Sequence, residues 1–233
     1  MKSNQTMKAA AIQMEARVAD IYYNISQAGD LAEEALKSGA RIVALPEFFT
    51  TQIVLDNRLF SASLNKQNNP ALEMLKSLSS RYEATIGGSY LERDELSGDV
   101  FNSYILVEPN GTVHRHKKDI PTMAENAFYI GGSDTGLLHT EHMAIGAAVC
   151  WETIRSATVK RLAGKCDLLM TGSHWWGSPG WPILKKRQRN DFDHKRYIFV
   201  GFNMLSKAEE TIFLEMKDKH GDSLFAGDFA DFY

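Results

Sequence analysis

The chain has 233 residues, 44% of them hydrophobic and 24% charged, with a formal net charge of −3; this is the composition of an ordinary water-soluble globular chain, long enough for one large domain over residues 1–233. So small a negative charge leaves no electrostatic footprint for nucleic acid, and the short basic run Lys185-Lys186-Arg187-Gln188-Arg189 reads as a solvated helix face. No apolar stretch approaches the roughly 20 residues of a membrane span and the first residues lack a signal-peptide hydrophobic region, so the expectation is a cytoplasmic protein with neither a nucleic-acid nor a membrane partner. In chain order, the apolar segment 7–13 reads as an opening strand, and residues 21–38 carry apolar side chains near the 3.6-residue period with Gly39 closing the helix. A short strand over 41–44 follows, then a helix over 70–82 with Pro70 in its first turn. Residues 84–91, 102–107 and 112–115 read as an antiparallel meander, with Pro109-Asn110-Gly111 making its second turn. A strand over 143–149 leads to a helix over 154–165, a short strand over 167–171, a helix over 187–196 and a late strand over 197–203. Residues 209–218 are charged and compatible with a helix. Helices alternating with strands, with hairpins in the middle, predict an α/β layered domain with a hint of a twofold repeat between its halves.

Three places in this pattern carry chemistry. Cys150 ends an apolar strand and precedes Trp151-Glu152, so the thiol falls at a sharp strand-to-helix turn near backbone N–H groups that favour a thiolate or an oxyanion. Glu47, in Leu45-Pro46-Glu47-Phe48-Phe49, stands at a strand end among apolar neighbours, where burial raises proton affinity and suits a base. Lys117-Lys118 precede Pro121, with Glu125 seven residues beyond Lys118; a lysine there can hold an oxyanion and a glutamate can orient it. Taken singly, each admits a plain alternative: an inert buried thiol, a surface carboxylate after a turn proline, a solvated lysine pair.

Glu47, Lys118 and Cys150, in that order and each at or just beyond a strand, resemble the catalytic triad of the nitrilase superfamily of carbon-nitrogen hydrolases. Lys118-Asp119-Ile120-Pro121-Thr122 with Glu125 is similar to the family's Lys-x-x-Pro-Thr-x-x-Glu pattern and selects Lys118 over Lys117; Cys150-Trp151-Glu152 is closest to the Cys-Trp-Glu of nitrilases. The resemblance implies a four-layer α-β-β-α sandwich, often dimeric through helices beside the nucleophile, so a homodimer or higher homo-oligomer is expected. It implies a hydrolase that cleaves a small amide or nitrile through a Cys150 thioester, with Glu47 as base, Lys118 and the Trp151 backbone N–H holding the oxyanion, and Glu125 assisting. An N-carbamoyl amide hydrolase, with Arg155 or Arg196 as a carboxylate clamp, and a catalytically inactive binding scaffold are the alternatives.

The segment 171–182 is aromatic and glycine-rich and follows a predicted strand, so His174, Trp175 and Trp176 are candidate pocket walls or packing residues, as are Trp151 and Tyr129. His174 reads as structural more readily than as a thiol partner, and Glu152 as a cap of the following helix more readily than as an ion pair near the site. Two cysteines make no disulfide framework and the seven histidines show no metal-ligand spacing, so neither metal nor cofactor is expected. Family members usually continue well past the late asparagine, Asn203 here; the divergent segment 204–233 is short by comparison, and the terminal strands are expected to be incomplete, leaving an exposed sheet edge.

Overall fold

The computed structural model of the chain describes residues 7–174, with the backbone of residues 197–203 and 210–216. Strand β1 (Met7–Gln13) leads through helix α1 (Ile21–Lys37) to β2 (Ile42–Ala44). A short helix α2 (Leu59–Ala62) and a two-residue strand β3 (Leu64–Asn65) precede helix α3 (Pro70–Tyr82) and the strands β4 (Thr85–Arg93), β5 (Val100–Val107) and β6 (Val113–Lys117). The second half contains β7 (Leu137–His139), β8 (Ala144–Val149), α4 (Ser156–Leu162), β9 (Leu168–His174), β10 (Tyr197–Asn203) and β11 (Glu210–Met216).

Local chemistry sets the helix limits. Asp20 accepts a hydrogen bond from Tyr23 N to start α1, Ser38 caps its end, and Gly39 then takes a φ of +95° that lets the chain reverse into β2. Asn69 accepts from Leu72 N at 2.8 Å and Pro70 occupies the first turn of α3. The apolar stripes of both helices, Ala28, Ala32 and Leu36 with Leu72 and Leu75, bury against Ala10, Ile12, Val43, Ile86 and Ile105 on one face of the first sheet.

That sheet runs β11-β1-β2-β4-β5-β6, with β3 beside the end of β4; β1, β2 and β4 are parallel and β4, β5 and β6 form the expected antiparallel meander. The second sheet runs β10-β9-β8-β7, its first three strands parallel. The sheets face one another across Ala9, Ala11, Ala44, Tyr104 and Leu106 from the first and Ile145, Ala147, Val149 and Met170 from the second. On the far face of the second sheet Leu162 of α4 packs with Ala148, Cys166 and Leu169, where the thiol is a small packing residue. The result is the α-β-β-α order of layers. No described helix is long and apolar enough to cross a membrane.

Two elements differ from the sequence reading. Instead of one helix over 154–165, a 3-10 turn (Cys150–Ile154) ends at Arg155, whose extended ψ of 131° separates it from α4. Residues 209–218 contribute a strand and not a helix: β11 pairs antiparallel with the whole of β1, Met7 opposite Met216 through Gln13 opposite Glu210. An available sheet edge outweighs charge content where Thr211-Ile212-Phe213 supply β-favouring residues, so β11 covers this edge of β1. The predicted helix over 187–196 and the Lys185–Arg189 run lie outside the described residues.

Candidate active site

The three chemistry-bearing positions converge at the carboxyl ends of β2, β6 and β8. Glu47 follows β2 in a tight turn where Phe48 has a φ of +55°, and Leu45 N donates to Gly87 O at 2.7 Å, anchoring the turn to β4. The second sheet closes on this turn from above. A Cβ built on Gly172 of β9 would lie 2.7 Å from Glu47 N, so only glycine permits the approach. The Glu47 carboxylate is 1% exposed and is held by three donors: Oε1 accepts from Lys118 Nζ at 3.1 Å and Asn102 Nδ2 at 2.8 Å, and Oε2 from His174 N at 2.8 Å.

Lys118 directly follows β6, its N–H bonded to Asn102 O at 2.9 Å, so Asn102 secures two of the three candidate groups, one by its side chain and one by its backbone. The Lys118 ammonium also donates to Glu125 Oε2 at 2.8 Å. Burial opposes the charge on Lys118, but Glu47, Cys150 and Glu125 together hold its proton more firmly than usual. Glu125 reaches this position because Thr122 and Glu125 form a capping box, Thr122 N donating to Glu125 Oε2 at 2.8 Å. Burial pushes the Glu125 carboxyl up, against the opposing pull of Lys118.

Cys150 stands at the end of β8 with a φ of +54°. A non-glycine residue in that region stores on the order of 1–3 kcal/mol and is kept only where the surroundings enforce it. The thiol is buried, and Ser173 Oγ donates to its sulfur at 3.5 Å. Burial first, and the Glu47 carboxylate second, push the Cys150 thiol up to about 12, with Lys118 and Ser173 pulling the other way. The thiolate expected from the turn N–H groups is therefore not the resting state; desolvation outweighs them. Consecutive residues of β9 thus hold the thiol and the carboxylate: Ser173 touches Cys150 and His174 N touches Glu47.

The other candidates divide. Tyr129 is buried, its hydroxyl donating to Val54 O at 2.5 Å, and its ring packs 5.9 Å from Phe48. His174 meets Phe48 edge-on at 6.5 Å, and burial lowers its ring to about 4, which keeps the imidazole neutral and unsuited to pairing with a thiolate. Trp151 is 37% exposed beside the nucleophile turn. Trp175, Trp176 and Arg196 lie outside the described residues. Asn102, Ser173 and Phe48 were not singled out from sequence. Phe48 stood within the Leu-Pro-Glu-Phe-Phe motif, but Asn102 and Ser173 lie on ordinary strands and carry no local signal. Among the described residues no group of three or more histidine, cysteine or carboxylate side chains could hold a metal ion.

Comparison with known proteins bears on the family and the fold. The chain is 24% identical over 190 residues to a probable nitrilase of Schizosaccharomyces pombe, covering 77% of this chain and 70% of that one. It is 28% identical over 184 residues to an omega-amidase, NIT2, of Xenopus tropicalis, covering 72% and 65%. The chain therefore spans about two thirds of the length of these relatives. Among solved structures, Nit3 of Saccharomyces cerevisiae superposes with a TM-score of 0.82 at 17% identity over 92% of this chain and 91% of that one. An amidase of Nesterenkonia sp. superposes with a TM-score of 0.77 at 16% identity over 94% and 92%. The sequence pattern of the carbon-nitrogen hydrolases matches residues 8–182, three quarters of the chain, and with the fold and the order of its motifs the chain belongs to the carbon-nitrogen hydrolase family of the nitrilase superfamily.

Proposed function

We propose that the protein hydrolyses the carbon-nitrogen bond of a small amide or nitrile through a thioester on Cys150, with Glu47 as general base. The observation that carries this reading is the buried Glu47–Lys118–Glu125 ion cluster set beside a thiol in a left-handed turn. Because the thiol rests protonated, ionisation accompanies attack: Glu47 takes the S–H proton as sulfur bonds to the carbonyl carbon, and charge moves to the substrate oxygen. Lys118 and the Trp151 backbone N–H then face the oxyanion, each such donor being worth roughly 3 kcal/mol. The proton on Glu47 passes to nitrogen, the carbon-nitrogen bond breaks and ammonia leaves. Water attacks the thioester, Glu47 accepts its proton and returns it to sulfur, and the acid departs. With a nitrile, sulfur bonds to the nitrile carbon and the Glu47 proton goes to nitrogen, giving a thioimidate; one water then adds to that carbon and ammonia leaves, giving the same thioester. Glu125 holds the Lys118 ammonium towards the oxyanion.

Arg155 bears on the acyl group. As a clamp for an N-carbamoyl substrate's carboxylate it would have to face the pocket; instead its guanidinium is bonded to Asp119 Oδ1 at 2.7 Å and to Ile120 O at 3.1 Å. With Phe48, Tyr129 and neutral His174 forming one aromatic cluster next to Glu47, the site suits an uncharged acyl chain. The test is ammonia release from a panel of short amides, nitriles and N-carbamoyl amino acids by the native chain and by Cys150→Ala. Turnover of amides or nitriles that vanishes in the variant is the expected result; equal turnover in the variant would overturn the assignment.

A further inference from the structure

Behind the candidate triad lies a second set of buried ions that none of the steps above uses. Glu152 is fully buried, two residues past the nucleophile. Its Oε2 accepts from Val149 N at 2.7 Å and its Oε1 from Asp119 N at 3.0 Å. Val149 directly precedes Cys150 and Asp119 directly follows Lys118, so one carboxylate ties the turn that presents the sulfur to the loop that presents the ammonium. His116, two residues before Lys118 on β6 and fully buried, places Nε2 3.0 Å from Glu152 Oε2 and Nδ1 2.5 Å from Asp134 Oδ1. With a carboxylate at each ring nitrogen, both must donate, so the ring is an imidazolium. Asp134 is itself aimed by Lys117 N at 3.0 Å and Gly136 N at 2.9 Å. Gly136, at φ +67°, has no room for a side chain: a Cβ would lie 2.6 Å from Ala147 O and 3.2 Å from the His116 ring.

We propose that Glu152 and His116, backed by Asp134, are positioning residues for the hydrolysis, holding the Cys150 turn and the Lys118 loop at working distance. The proposal rests on the Glu47–Lys118–Cys150 reading above. Misplacement by about 1 Å can cost on the order of 100-fold in rate, so a single carboxylate one peptide away from both groups is well placed to matter.

The charged groups around the imidazolium are Asp134 on the segment before β7, Glu152 on the nucleophile turn, and Arg161 of α4, which reaches Glu152 Oε1 at 3.3 Å and Asp119 Oδ2 at 3.1 Å. Arg155 completes the set through Asp119, and β5 presents the neutral Tyr104 opposite His116. Burial works against the His116 proton, but Asp134 and Glu152 raise the ring to about 9. The folded-state value lies above the ordinary one, so the clamp is intact at neutral pH and is lost as pH rises through about 9, while Cys150 and Lys118 keep their protons to higher pH.

The experiment uses the full chain and measures kcat and KM from pH 6 to 10.5 on an amide that the native protein turns over. Alongside it, the second-order rate of Cys150 alkylation by iodoacetamide is read by peptide mapping, which needs no substrate. In Glu152→Gln, kcat is expected to fall at least 100-fold with KM within threefold, and alkylation at pH 8 at least fivefold. In Asp134→Asn, whose amide oxygen still accepts a backbone N–H, the chain folds and the high-pH limb of kcat moves down by about one unit; this variant decides the matter if Glu152→Gln does not fold. Folded Glu152→Gln with kcat within threefold, or an unmoved limb in Asp134→Asn, would overturn the proposal. Glu47→Gln separates the two readings. Alkylation that is indifferent to Glu47 removes the triad itself, whereas dependence on Glu47 without dependence on Glu152 removes only the clamp.

Discussion

Two ion clusters sit back to back in this molecule, the front one buried and the rear one partly exposed, and they are balanced differently. In front, the Lys118 ammonium is shared by two carboxylates, Glu47 and Glu125. Behind, three cations, His116, Arg155 and Arg161, face three carboxylates, Asp119, Asp134 and Glu152. Burial first, and the excess of negative charge in front second, keep the thiol from ionising, so in the proposed mechanism sulfur becomes nucleophilic only as Glu47 takes its proton. The balanced set behind has no comparable acid-base task and instead joins the backbone on either side of the reacting groups. On the proposed reading, charge imbalance marks chemistry here, and charge balance marks support.

The comparison can be broken most forcefully at its shared cation. Lys118→Met leaves Glu47 and Glu125 buried without a counterion, and is expected to lose about 3–5 kcal/mol of stability together with all measurable turnover; denaturant unfolding and an ammonia assay check both. Glu47→Gln removes the proposed base and should lower kcat by about 10²–10⁴-fold, with Cys150 alkylation slowed to match. Comparable unfolding midpoints for native and Lys118→Met proteins would refute the view that the front cluster is held by one shared ammonium. A smaller effect is expected at the contact between the sheets. Gly172→Ala pushes a methyl onto Glu47 N, which should cost about 1–3 kcal/mol by overpacking, read as a lowered Tm, with kcat reduced because Glu47 moves.

The smallest effect sharpens the contrast through pH. Glu152 and Asp134 are each held down to about 2, against burial, chiefly by His116. A carboxylate whose folded value is depressed stabilises above its unfolded value and loses that contribution as pH falls through the folded one, so the support cluster weakens between about pH 4 and pH 2. Because Asp134 is partly exposed its share is the lesser one, and Asp134→Asn should flatten the acid limb of the Tm profile only slightly. An acid limb unchanged in Asp134→Asn and Glu152→Gln alike would mean that the rear carboxylates are not held down as described.

Much of this architecture was legible in the sequence because its signals are local. The periodicity of 21–38 and the proline start and apolar stripe of 70–82 set α1 and α3 to within a residue, and the meander from β4 to β6 follows from alternation and turn residues. Glu47, Lys118 and Cys150 stood out because each ends or follows a strand, and Glu125 because it stands seven residues beyond Lys118 past the proline turn; the structure brings Glu47, Lys118 and Glu125 into direct contact beside Cys150. The break between the nucleophile turn and α4 was hidden, because Glu152 captures Asp119 N from 33 positions away as well as the nearby Val149 N.

What the sequence by itself determined was thus the order of strands and helices, the family pattern and the identity of the candidate catalytic groups, all of which depend on neighbours within a few residues. Tertiary structure alone decided that Asn102 would hold Glu47 from 55 positions away and that Ser173 would meet Cys150 from 23 away. It also turned the charged segment 210–216 into the strand that covers β1, and kept the thiol protonated. Those outcomes follow from burial and from contacts between distant segments, and neither is encoded at any one position of the chain.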